Sequence, residues 1–62
     1  MLEKNSLYQI QPLTLEINNV IFVQDEIIEV IDLKGINAVI KKSTGEIKTV
    51  SARGLEFAVE KI

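Results

Sequence analysis

Four acids, Asp25, Glu26, Glu29 and Asp32, crowd into one short stretch, and five cations, Lys34, Lys41, Lys42, Lys48 and Arg53, crowd into the next. Clustered carboxylates suit hard cations such as Ca²⁺ or Mg²⁺, which take oxygen ligands. Here the spacing fits no EF-hand loop. On a strand, Asp25 and Glu29 share one face while Glu26 and Asp32 share the other. The four therefore do not converge, and no metal or other cofactor is expected. The stretch is expected to be an acidic interaction face, which also protects a strand edge from aggregation.

Nucleophilic chemistry lacks its parts. Ser6, Ser43 and Ser51 are present, but the chain has no histidine and no cysteine. Nothing in the pattern positions a lysine to activate a serine. The glycines Gly35, Gly45 and Gly54 stand alone, as turn residues do, and form no phosphate loop. The chain is expected not to be an enzyme.

The cations make a second candidate. Lys41, Lys42 and Lys48 flank a turn at Ser43-Thr44-Gly45, with Arg53 a few residues on. A basic hairpin tip suits phosphate contacts. Tyr8 is the aromatic expected to be exposed for stacking; Phe22 and Phe57 read as core. Against general nucleic-acid affinity stands the net charge of −2, with a pI near 4.9. The charge is polarised along the chain. Residues 1–33 hold only Lys4 against six acids, and residues 34–53 hold five cations against Glu46. An acidic surface on one molecule can meet a basic tip on another copy or on a partner, and a free strand edge can add a partner strand. The expected function is a non-enzymatic module that self-associates or docks on a protein; the alternative is a nucleic-acid-binding β domain using the basic tip.

The elements that carry these residues read mostly as strands. Met1–Ser6 is a polar lead-in, expected to be loosely held. Leu7–Ile10 is a short strand. Pro12 marks a strand start or edge. Leu13, Leu15 and Ile17 alternate with Thr14, Glu16 and Asn18, the half-buried strand pattern. Asn18-Asn19 suits a two-residue hairpin turn, and Val20–Val23 returns from it. Gln24-Asp25 is the next break.

Glu26–Leu33 has two readings. Asp25 can cap a helix over about 25–34, with Gly35 at its end. Against that, Ile27, Ile28, Val30 and Ile31 are β-branched and favour a strand. A strand is expected, turning at Lys34-Gly35 into Ile36–Lys42. Glu46–Val50 is a further strand, and Ser51–Gly54 breaks the pattern as one 3₁₀ turn. Leu55–Ile62 alternates as a closing strand, though Leu55, Ala58, Val59 and Ile62 also fit a helix face.

Five or six short strands at regular spacing predict an all-β domain, a small antiparallel barrel. From residue 26 onward the order of strand, turn, strand, turn, strand, short break and final strand resembles SH3-like barrels. The resemblance lies in layout alone and carries no activity with it. Sixty-two residues make one domain. A chain of this size buries only ~60% of the surface its unfolded form exposes, and without cysteines no disulfide can help it. An apolar content of 47% in so small a chain points to self-association. The absence of a leader-like segment and of long apolar runs predicts a cytoplasmic protein away from membranes.

Overall fold

The computed structural model describes residues 1–62. Strands β1 (Ser6–Ile10), β2 (Thr14–Ile17), β3 (Val20–Val23), β4 (Ile27–Lys34), β5 (Asn37–Lys41) and β6 (Ile47–Ser51) are followed by helix α1 (Ala52–Glu56) and strand β7 (Val59–Lys61). One antiparallel sheet has the order β6-β5-β4-β1-β7. The β2–β3 hairpin forms a separate two-stranded sheet. The domain is thus mostly β, as expected, but it is two sheets with free edges at β6 and β7 and not a closed barrel.

Glu26–Leu33 is strand, not helix: Ile27–Lys34 pairs with β1 and β5. The C-terminal stretch departs from the expected single strand. The helix runs over Ala52–Glu56, where Ser51 Oγ accepts the Gly54 N–H at 3.3 Å as an N-cap. Only Val59–Lys61 is then extended, pairing with β1. Turn chemistry follows the sequence closely. Asn18 and Asn19 both take positive φ, 51° and 65°, as the tightest hairpin turns require.

The core lies between the five-stranded sheet and the hairpin. Tyr8, Ile10, Ile28, Val30, Ala38, Ile40 and Val50 bury the inner sheet face, and Phe22 presses on them from β3. Leu55 closes one end from α1. Ile17 sits against Gly54, where an added Cβ would meet its Cγ2 at 3.4 Å. The lead-in is also tied down. Leu2 is buried in the core, the Asn5 N–H donates to the Val30 carbonyl at 2.6 Å, and Lys61 pairs with Glu3.

One irregularity in β4 matters for the surface. The pairing with β5 shifts between Val30 and Asp32, so Ile31 is an extra residue, a β-bulge. Before the bulge, Ile28 and Val30 face inward. After it, Leu33 stands opposite buried Ala38 on the inner side, and Asp32 stands opposite Val39 on the outer side. A regular strand would reverse those two positions.

Leu2→Ala is expected to cost about 2 kcal/mol, since it empties a buried leucine site at the core edge. Urea denaturation monitored by circular dichroism measures it; an unchanged midpoint would show that the lead-in contributes nothing.

Candidate functional site

The basic tip does not form a patch. Cross-strand neighbours share a face, and the register sets Lys41 opposite Ile47 on the outer face but Lys48 opposite buried Ile40 on the inner one. Lys48 lies 3.9 Å from Glu46. Lys42 turns back into the fold. Its ammonium donates to the Ile21 carbonyl, stands 3.5 Å from Glu26 Oε2 and lies 4.7 Å from the centre of the Phe22 ring. Tyr8, expected as an exposed stacking residue, is only 4% exposed. It faces inward with Ile10, and its hydroxyl oxygen accepts the Glu3 N–H at 2.7 Å.

The acidic stretch is dispersed as well. Asp25 sits in a turn at φ 69°. Glu29 and Asp32, expected on opposite faces, share the outer face because of the Ile31 bulge. Glu29 stands opposite Lys41 in the ladder, and Asp32 lies 3.8 Å from Lys4. No three acids come close enough together to hold a metal ion. Acidic and basic halves of the sequence thus meet within one molecule.

Glu26 is the centre of that meeting. Its carboxylate accepts the Val23 N–H at 3.2 Å, the Ser43 hydroxyl at 3.0 Å and the Ser43 N–H at 3.3 Å. The Lys42 and Glu26 side chains are only 11% and 5% exposed. Burial opposes ionisation of Glu26. The hydrogen bonds from Val23 and Ser43 and the Lys42 charge outweigh it and hold the carboxyl below its ordinary value. The cluster fastens the β2–β3 hairpin to the start of β4 and to the β5–β6 turn.

The surface also carries exposed apolar side chains, four of them at one groove. A groove of about 680 Å³ lies between α1, the Gly35–Ile36 turn and the N-terminal Met1–Leu2 segment. The turn and the helix are joined where the Ala52 N–H donates to the Ile36 carbonyl at 3.0 Å. Leu33 enters the groove because of the bulge. Ile36 is 83% exposed and Phe57 81% exposed, so Phe57 is not the core residue its strand-like spacing suggested. It follows the last residue of α1 and projects from the helix end. Arg53, the remaining member of the expected basic set, lies on this groove together with Glu56. The groove was not anticipated from sequence. The one signal for it was Ile36 beside a turn glycine, an apolar residue where turns are usually polar.

Comparison with protein-family models, with curated proteins and with solved structures finds no match for the chain. No helix is long and apolar enough to cross a membrane.

The depressed Glu26 carboxyl stabilises the folded state at pH values above its unfolded value near 4.5. That contribution is lost as pH falls through the lower folded value. Glu26→Gln is therefore expected to be less stable than wild type at neutral pH and to lose less stability on acidification below pH 4.5. Lys42→Met should cost about 1–2 kcal/mol, leaving the Ile21 carbonyl without its donor and removing the charge over Phe22. Urea melts across pH test both; parallel pH curves for wild type and Glu26→Gln would contradict the assignment.

Proposed function

We propose that the chain is a cytoplasmic, non-enzymatic interaction module whose contact face is the groove between α1, the Gly35–Ile36 turn and Met1–Leu2. The observation that carries it is the distribution of apolar side chains. Eleven large hydrophobic residues are exposed against ten buried residues in the whole core. Scattered exposed apolar residues are ordinary, but Met1, Leu33, Ile36 and Phe57 line one concavity. Exposed apolar side chains gathered at one concavity support a contact site there. The absence of histidine and cysteine supports a role in binding and not in acid–base or thiol chemistry.

The layout supports an open SH3-like arrangement. The β4, β5 and β6 strands form a meander, a one-turn helix follows, and β7 returns beside β1. The β2–β3 hairpin packs over the sheet without joining it. Phosphate binding has less support, since Lys41, Lys42 and Lys48 point in different directions and Lys42 is occupied by Glu26.

A photoreactive phenylalanine analogue placed at Phe57 tests the contact face in the cells that make the protein. Covalent adducts with protein are expected from position 57 and not from Glu16, which is exposed on the hairpin. Equal yields at both positions, no adduct at 57, or adducts with nucleic acid would overturn the proposal.

A further inference from the structure

We infer that the groove is covered by a second copy of this chain, in a two-fold contact that sets Arg53 of each copy against Glu56 of the other. This rests on the groove being a contact face and names its occupant. The ion pairs within the chain are Lys4–Asp32, Lys42–Glu26, Lys48–Glu46 and Lys61–Glu3. Arg53 and Glu56 belong to none of them, yet they are the cation and the acid on the groove. They stand three residues apart on α1, one helical turn, and so face the same way.

The groove carries one free charge of each sign on its side chains, Arg53 and Glu56, which disfavours an acidic segment at Glu56 and a basic one at Arg53. It complements itself. In a two-fold interface the same patch occurs on both sides, and residue i meets j while j meets i. Two α1 helices crossing antiparallel about that axis satisfy both charges at once. They also bring Ile36 and Phe57 of each copy against the apolar groove of the other. A standard interface covers ~800 Å² per partner, about a fifth of the 4010 Å² surface of this chain. So small a core gains much from that burial.

Sedimentation equilibrium on the purified full chain, from micromolar to millimolar concentration, tests the inference. The mass should rise with concentration to twice the 7.0 kDa of the chain. Phe57→Glu should hold it monomeric with an unchanged circular dichroism spectrum, and Ile36→Glu serves the same purpose should that variant fail to fold. Arg53→Glu alone and Glu56→Arg alone should each weaken association roughly tenfold or more, because like charges then face each other. The double variant carrying both changes should recover wild-type association. A wild type that stays monomeric throughout overturns the inference, as does a dimer that survives the apolar substitutions or single charge changes. A double variant no better than the single ones overturns it too. A monomer that still forms protein adducts from position 57 in cells would leave the groove as a contact face and remove only the second copy.

Discussion

The one buried charged contact between the hairpin and the rest of the fold centres on the Glu26 carboxylate. The β2–β3 hairpin shares no ladder with the five-stranded sheet, so side chains must keep it in place. Phe22 supplies the apolar part; burying it fully stabilises by about 1.5–3 kcal/mol. Glu26 supplies a directional part, joining Val23 of the hairpin to Lys42 and Ser43 of the β5–β6 turn. Leu15, Ile17 and Val20 add apolar contact, and Asn18 Oδ1 accepts the Ser51 N–H at 2.9 Å at the hairpin turn. An apolar contact permits sliding, and a poorly partnered carboxylate would cost more in desolvation than it returns. Together they fix both the position and the register of the lid over the core.

That arrangement determines what the surface can do. Lys42 turns inward to Glu26, and Lys41 stands across from Glu29. The strongest charges of the sequence thereby act within the molecule. The polarity visible along the chain is not a polarity in space, because antiparallel pairing lays the basic strand β5 beside the acidic strand β4. The groove is an apolar concavity left open on that surface, and the bulge at Ile31 helps to build it by placing Leu33 on the inner side. A chain of 62 residues has too little interior for all its apolar side chains. Four of the eleven exposed large apolar side chains, Met1, Leu33, Ile36 and Phe57, gather at the groove.

Much of the fold was legible in the sequence. The β-branched run Ile27–Ile31 decided strand over helix, and the paired asparagines marked the hairpin turn. Tyr8 and Phe57 were misplaced for related reasons. Tyr8 looked free because its polar tip suits water, yet Glu3 supplies a donor for that tip inside the fold. Phe57 looked buried because Leu55, Phe57 and Val59 alternate, yet α1 ends at Glu56 and leaves Phe57 exposed as its C-cap. The bulge left no sequence signal, since no glycine or proline marks Ile31. Without it the faces of Asp32 and Leu33 could not be assigned. The groove was therefore invisible, although most of its residues lay in recognised elements.

The most direct test of the central claim, that this molecule makes its contacts through the apolar face at α1, is a ¹⁵N NMR spectrum followed as protein concentration rises. Shift changes should be confined to residues around Ile36, Ala52, Arg53, Glu56 and Phe57, with Glu26, Lys42 and Ser43 unmoved. Changes centred on the β2–β3 hairpin or on Lys41 and Lys48, or a spectrum that does not change with concentration, would contradict it.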